Sequence, residues 1–230
     1  MSIDININNK KGVTLNTAKT YCEEDIVITI DKSLFEQDYS NEDGLVTRTL
    51  SYYYNDRVTS LGDRIFQNYS TSITIECPNV TLVGTNCFYN SSGVQELKLP
   101  KLISVTANAL YQMTSIRVFN FPSVESVPNN TCRYCTGLEI VYMPKLSVLT
   151  PALFADCTKL HTFIIEGNSV VAMQNSNCFL RTAIESGNGY IYVPDNLVDS
   201  YKTTTNWSTY ATQIKGISEI PQEIREELGI

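Results

Sequence analysis

The feature of this sequence that most constrains its fold is a repeat of 22 residues, which runs without a gap through the middle of the chain. The rows read VTSLGDRIFQNYSTSITIECPN, VTLVGTNCFYNSSGVQELKLPK, LISVTANALYQMTSIRVFNFPS, VESVPNNTCRYCTGLEIVYMPK and LSVLTPALFADCTKLHTFIIEG. They start at Val58, Val80, Leu102, Val124 and Leu146. A row with one short strand cannot bury its own apolar side, so neighbouring rows must stack on each other.

Apolar residues recur in the same columns of every row. The first and fourth columns are aliphatic throughout, and the ninth column holds Phe66, Phe88, Leu110, Cys132 and Phe154. Each row ends in a strand-like segment: SITIEC, VQELKL, IRVFNF, LEIVYM and LHTFII. Proline then follows in the first four rows and, because it has no N–H to donate, marks the strand end. We therefore predict a β-rich solenoid whose parallel strands lie about 4.8 Å apart and enclose one core.

The flanking segments set the predicted domain organisation. Residues 1–32 alternate apolar and polar side chains in IDININ and DIVITI, which is typical of two strands in a small N-terminal β module. Residues 33–57 are predicted to be a connector and N-terminal cap, and residues 58–194 the solenoid, with a looser sixth row. Residues 195–230 are predicted to form a C-terminal helical cap and tail. In this cap Asp195 caps a short helix, and Trp207 and Tyr210 fold over the last row.

Composition excludes several classes of partner. The net charge is −7 and the pI is near 4.8, which leaves no basic patch for nucleic acid and disfavours anionic membranes. No apolar run approaches the length of a membrane span, so we expect no membrane insertion. The start, MSIDININNKKG, lacks the apolar segment of a signal peptide, and we expect the chain to be made in the cytoplasm.

Cys132 and Cys135 form a Cys-x-x-Cys pair, which can hold a metal ion or act as a redox dithiol. Their columns favour another interpretation, because Cys132 stands among Phe and Leu, and Cys135 stands beside Met113 and Cys157. Free cysteine packs as a small hydrophobe, so buried thiols are our preferred interpretation. A metal or redox site and a disulfide are the two alternatives. We expect the seven cysteines of the chain to be free thiols.

No catalytic, cofactor-binding or metal site is predicted from the motifs. The single histidine, His161, aligns with Gln95, Arg117 and Glu139 in a polar surface column. The sequence has no glycine-rich phosphate loop and no His-Glu-x-x-His motif. An enzyme that uses scattered carboxylates such as Glu96 is the weakest alternative, because no paired acids stand out.

The strand face that points away from the core is the candidate binding surface. Strand residues alternate between faces, so two outward ladders are predicted. They consist of Thr74, Glu96, Val118, Ile140 and Thr162, and of Glu76, Lys98, Asn120, Tyr142 and Ile164. The apolar members of the later rows form a predicted contact patch, bordered by Arg117 and Glu139: Val118, Ile140, Tyr142 and Ile164. The alternative is that a cap or the N-terminal module covers them.

The repeat resembles the BspA-like leucine-rich repeat, in which a Phe is followed three residues later by Cys, then by Leu and a strand that ends in Pro. The segment LFADCTKLHTFII matches this motif closely. Cys132 in place of Phe, Ser91 and Tyr69 in place of Cys, and Glu166 in place of Pro are departures, which suggest local repacking. The resemblance covers residues 58 to about 194. It implies a binding or structural role without shared catalytic residues.

Two flanking segments, GVTLNTAKTYCEEDIVITID and IYVPDNLVDSYKTTTNWSTYATQI, resemble modules of phage and prophage proteins. The resemblance implies a non-enzymatic virion structural or attachment protein located in the phage particle. Its N-terminal module would contact other virion proteins, and the solenoid would bind a host surface protein or glycan, with homo-oligomers as a further form of association. The alternative function is a bacterial cell-surface leucine-rich-repeat adhesin.

Overall fold

The computed structural model describes residues 39–41, 44–46 and 52–230. The first two segments are strands β1 (Tyr39–Asn41) and β2 (Gly44–Val46), which pair antiparallel within the predicted connector. The N-terminal module predicted for residues 1–32 lies outside the described residues.

The solenoid has a main line of parallel strands, which contains the late segment of each row. Its strands are β3 (Tyr52–Tyr54), β5 (Ile73–Glu76), β7 (Val94–Lys98), β9 (Val118–Asn120), β10 (Ile140–Tyr142), β12 (Thr162–Ile164), β14 (Tyr190–Val193) and β15 (Ile214–Gly216). Hydrogen bonds join them into the sheets β3-β5-β7 and β9-β10-β12-β14-β15. The register follows the repeat, since Ile75 pairs with Leu97 and Ile140 pairs with Thr162.

A second line of short parallel strands contains the start of each row. It consists of β4 (Ser60–Leu61), β6 (Leu82–Val83), β8 (Ser104–Val105), β11 (Val148–Leu149) and β13 (Ala172–Met173). These strands form the sheets β4-β6-β8 and β11-β13, and a single bridge joins Ser104 to Ser126 between them. Each row therefore contributes backbone hydrogen bonds at two places, which is how stacked rows satisfy their polar backbone groups.

Short helices follow the last full row. A 3-10 turn over Asp195–Leu197 leads into helix α1 (Val198–Thr203), and further 3-10 turns span Trp207–Tyr210 and Ile217–Glu219. Helix α2 (Gln222–Leu228) ends the chain, with Gly229 in the left-handed conformation (φ 72°) as its C-cap. No helix within residues 52–230 has both the length and the apolar character needed to cross a membrane.

One continuous core runs through the stacked rows, as the columns predict. The rings of Phe66 and Phe88 stack with centroids 5.0 Å apart, and those of Phe154 and Phe179 stack at 5.9 Å. Leu110 and Cys132 belong to the same core and are fully buried. The predicted β-rich leucine-rich-repeat solenoid is therefore confirmed.

The arc between the two lines of strands uses left-handed backbone at two positions of each row, which column chemistry did not predict. The residues with positive φ are Arg64, Asn86, Asn108, Asn130 and Ala152 in one column, and Asn68, Asn90, Gln112, Tyr134 and Asp156 in the other. Asparagine adopts this conformation more readily than most residues. The recurrence of asparagine in these columns therefore indicates left-handed backbone there. Backbone bonds such as Asn90 N to Tyr111 O (2.9 Å) then join neighbouring arcs.

The C-terminal cap closes the last row with aromatic side chains. Trp207 is fully buried, its Nε1 donates to the carbonyl of Val171 at 2.7 Å, and Tyr210 packs edge-on against Phe179. The main sheet also continues past residue 194, since β15 pairs with β14, and it begins before residue 58, at β3. The N-cap role predicted for Asp195 is wrong, because its Oδ1 accepts hydrogen bonds from the backbone N and Oγ of Ser218.

Replacing Phe88 by Ala tests the stacked core. The ring is fully buried, and its loss should lower the free energy of unfolding by about 3–5 kcal/mol. The measurement is chemical denaturation followed by circular dichroism. Ile103→Ala is the matched control, because Ile103 is 51% exposed and its truncation should change stability by no more than about 0.5 kcal/mol. Equal effects of the two variants would contradict this description of the core.

Candidate binding surface

The outward ladders have the register predicted from the repeat. Thr74 pairs with Glu96, Ile140 pairs with Val118 and Thr162, and Tyr142 pairs with Asn120 and Ile164. The residues between them point into the solenoid core: Leu97, Phe119, Val141 and Phe163. Ile140, Tyr142 and Ile164 belong instead to a second apolar cluster on the opposite side of the sheet.

The exposure predicted for the apolar patch is wrong. Ile140 is 2% exposed, Tyr142 is 8% exposed and Ile164 is fully buried, while Val118 is half-buried. Helix α2 and the 3-10 turn before it cover this part of the sheet with aliphatic side chains: Ile217, Ile220, Ile224 and Leu228. The physical reason is that Ile224 and Leu228, four positions apart, lie on one side of α2, while Ile220 adds an aliphatic contact from the extended segment just before the helix. The tail thus supplies the cover that was the alternative in the sequence.

Arg117 and Glu139 border this covered area, as predicted, but they are engaged within the chain. The guanidinium of Arg117 forms an ion pair with Glu227 of α2 and another with Glu139, at 3.2 Å. Asn120 donates from Nδ2 to the carbonyl of Leu228 at 3.1 Å, which satisfies a carbonyl at the helix end. Sequence reasoning missed the two contacts with α2 because more than 100 residues separate Arg117 from Glu227 and Asn120 from Leu228.

The N-terminal half of the outer face has a different character, and none of the described residues covers Tyr52 and Tyr54 as α2 covers the other half. Tyr52 is 47% exposed and Tyr54 is 52% exposed, and both stand on β3 at the edge of the sheet. Tyr52 donates from its hydroxyl to Oε2 of Glu76 at 2.7 Å, and this hydrogen bond raises the pKa of Tyr52 to about 12. Lys98 Nζ lies 3.4 Å from Glu96 Oε2 and 3.9 Å from Glu76 Oε2. This half therefore presents two phenols beside carboxylates and one ammonium group.

Cys132 and Cys135 lie in the core, as their columns predict. The structure describes six free cysteines, all buried: Cys77, Cys87, Cys132, Cys135, Cys157 and Cys178. In three of the five rows the side chain in the twelfth column donates to a carbonyl of the preceding row: Cys135 Sγ to Leu110 O at 3.0 Å, Cys157 Sγ to Cys132 O at 3.1 Å, and Ser91 Oγ to Phe66 O. A small donor side chain in this column therefore joins neighbouring rows inside the core.

Burial also favours the protonated form of Cys87, Cys132 and Cys157. Desolvation raises the pKa of Cys87 to about 12 and the pKa of Cys132 and Cys157 well above the usual thiol value. The nucleophilic thiolate is therefore scarce at neutral pH. In the described part of the chain, no group of three or more His, Cys, Asp or Glu side chains is arranged to hold a metal ion.

His161 lies in the polar column predicted for it. It is half-buried, and its Nδ1 lies 2.9 Å from Oγ1 of Thr162. Its column neighbours Gln95 and Arg117 are exposed, and Glu139 is half-buried. Its hydrogen-bond partner here is the adjacent threonine hydroxyl.

Asp156 ties three successive arcs together, a contact that sequence reasoning missed. Its Oδ2 accepts from Nε of Arg133 at 2.9 Å, and its Oδ1 accepts from Nε of Arg181. The hydrogen bond from Arg181, aided by the one from Arg133, lowers the pKa of the nearly buried Asp156 carboxyl. The charged form of Asp156 therefore stabilises the folded state.

The repeated rows and their parallel sheets make this protein a leucine-rich-repeat solenoid, in which side chains are displayed along a parallel sheet. The chain belongs to the BspA type leucine rich repeat family. The family model matches in six copies over residues 28–161 and 83–198, which include every row of the solenoid. The family membership inferred from the repeat motif is thus confirmed. Proteins of this repeat class typically serve as binding scaffolds.

A solved structure of a leucine rich cell surface protein from Faecalibacterium prausnitzii A2-165 is similar in fold. The identity is 18% and the TM-score is 0.48, and the alignment covers 80% of this chain and 54% of that protein. The chain thus spans about half of the length of that protein. A comparison with curated proteins finds no match.

Thiol labelling tests the structural role of the cysteines. In the native chain, Cys132 and Cys135 should react with a thiol reagent at least tenfold more slowly than in denaturant, because both are fully buried. The reaction is followed by mass spectrometry of the labelled peptides, with the chain in denaturant as the reference. Fast labelling of the pair in the folded state would show that it is accessible.

Asp156→Asn tests the arc contact. The change should lower the free energy of unfolding at pH 7 by about 1–3 kcal/mol, because both arginines lose a charged acceptor. A lowered pKa gives stability that is present above the unfolded pKa, about 3.9, and is lost as the pH falls. The difference in free energy of unfolding between the unmodified chain and Asp156→Asn should therefore become smaller below about pH 4.

The measurement is urea denaturation at a series of pH values. Glu125→Gln is the control for Asp156→Asn, since Glu125 is an exposed acid whose neutralisation should have little effect. If the difference in free energy of unfolding stays constant down to pH 2, the destabilisation by Asp156→Asn comes from packing and not from charge.

Proposed function

We propose that this chain is a non-enzymatic attachment protein, which binds a partner through the accessible N-terminal half of its outer sheet face. The observation that carries the proposal is the pair Tyr52 and Tyr54, about half exposed on a strand whose neighbours carry charged side chains. Tyrosine is enriched at protein interfaces, because it offers a large contact area together with a polar hydroxyl.

The geometry of this face suits binding. Parallel hydrogen bonds hold β3, β5 and β7 in register, so the side chains on them are positioned before a partner arrives. Glu76, Glu96 and Lys98 give the face both signs of charge, with carboxylates in excess. A protein or glycan that offers hydroxyl or amine donors fits this combination.

The first location we propose is the bacterial cell surface, where the chain would act as an adhesin of this repeat class. Membership of the BspA type family supports this proposal, because proteins of this repeat class typically serve as binding scaffolds. Proteolysis of intact cells with an added protease tests it, because a surface protein is cleaved while cytoplasmic marker proteins stay whole. Complete protection of the chain in intact cells would count against this location.

A phage particle is the second location we propose. The motif resemblance of residues 191–214 to a closing segment of phage and prophage proteins supports it. In that setting the N-terminal module would contact other virion proteins, and the chain would be made in the host cytoplasm. Mass spectrometry of purified particles separates the two locations, since an adhesin would be missing from them.

Replacing Tyr52 and Tyr54 together by Ala tests the binding face. We expect binding of the labelled chain to intact bacterial and epithelial cells, measured by flow cytometry, to fall roughly tenfold or more, since exposed aromatic residues often dominate interface energy. Leu82→Ala is the control, because Leu82 is 39% exposed but lies on β6, in the other line of strands. Equal binding by both variants on every cell type would overturn the assignment of this face.

A further inference from the structure

We propose that the apolar part of the outer sheet face is a binding site for an amphipathic helix, and that α2 occupies this site as an internal competitor in the isolated chain. The proposal goes beyond the attachment function, because it concerns the covered half of the face and predicts a partner of defined chemistry. It holds or fails independently of Tyr52 and Tyr54.

The first argument comes from the columns of the outer face. In the early rows these columns carry Thr74, Glu96, Glu76 and Lys98, and the solenoid stacks in register there. Polar residues are therefore sufficient for stacking at these positions. In the later rows the same columns carry Asn120 and Thr162 beside five apolar or aromatic residues that form a cluster apart from the core: Val118, Ile140, Tyr142, Ile164 and Tyr192. These apolar side chains are therefore needed for packing against α2 and not for stacking of the rows.

The second argument is that α2 is separate from the solenoid it covers. The main sheet is already complete at β15, and α2 adds no strand to it. The helix has seven residues, too few to be stable without a surface to pack on. Much of it faces solvent, since Gln222, Glu223 and Glu226 are exposed. The helix can leave without breaking a hydrogen bond between solenoid rows.

The contacts of α2 define the chemistry of the partner. Ile220, Ile224 and Leu228 supply an aliphatic side chain every fourth residue, and Glu227 pairs with Arg117. The C-terminal carbonyl end of the helix accepts from Asn120. A partner helix that competes for this surface therefore carries two aliphatic residues four positions apart, with an acidic residue directly before the second of them. A further aliphatic residue stands in the extended segment that precedes the helix.

The test uses the full chain with the doubly substituted helix Ile224→Asp and Leu228→Asp, which removes two aliphatic contacts and leaves the sheet intact. The probe is a fluorescent peptide of residues 217–230, ISEIPQEIREELGI. By fluorescence anisotropy, the doubly substituted chain should bind this peptide at least tenfold more tightly than the unmodified chain does. The same peptide carrying both Asp substitutions is the matched control and should not bind.

A further substitution locates the site. Adding Ile140→Asp to the doubly substituted chain should abolish peptide binding, while adding Tyr54→Ala should leave it unchanged. Unchanged cell binding by Tyr54 variants, together with intact peptide binding, would therefore count against the proposed function alone.

Glu227→Arg is the second variant, for the case that the double substitution prevents folding as judged by circular dichroism. Glu227 is exposed, and an arginine at this position places a second cation beside Arg117. The resulting repulsion weakens the packing of α2 on the sheet, so this variant too should bind more peptide. The proposal is overturned if a folded variant does not bind the peptide, or if the unmodified chain binds it equally well. It is also overturned if the unmodified chain is a dimer whose subunits separate when α2 is substituted, because the helix would then join two copies.

Discussion

The parallel pairing of successive rows, in a register set by the repeat length, is the constraint on which the rest of this structure depends. Each strand of the main line satisfies its backbone groups only through its neighbours, as in the pairing of Ile140 with both Val118 and Thr162. In the five full rows, paired residues of the main line lie 22 positions apart except at an irregularity at Ile73, so equivalent side chains lie above one another. The aromatic stack of Phe66 on Phe88 and the thiol bonds between rows both follow from this alignment.

The same register also organises the outer face of the sheet. Residues there need not be apolar for the rows to stack, so the columns are free to change character along the solenoid. They are charged around Glu96 and Lys98 and apolar around Ile140 and Ile164. One half is accessible and carries the proposed partner surface, and the other half holds α2. The two halves of the face differ because their outward side chains differ, while the inward side chains of both halves are apolar.

Much of the fold could be predicted because it depends on local periodicity. Column chemistry predicts the inward positions of Leu97, Phe119 and Val141 and the burial of Cys132 and Cys135. The aromatic closure by Trp207 follows instead from the need to cover the last row. The left-handed arcs were missed although asparagine recurs in them, because apolar columns give no information on φ. The Asp156 contact was missed for another reason. It joins three rows through polar side chains, which no periodic pattern links.

The repeat, the parallel stacking and the side of each strand that enters the core can be read from the amino-acid sequence, because they follow from spacing along the chain. Which part of the outer face is covered depends on contacts made in the folded chain. The cover over Ile140 and Tyr142 comes from a helix at the far end of the chain, held in part by a hydrogen bond from Asn120 to Leu228. Burial of a surface residue depends on what the folded chain brings to it, and contacts between such distant residues leave no trace in local periodicity.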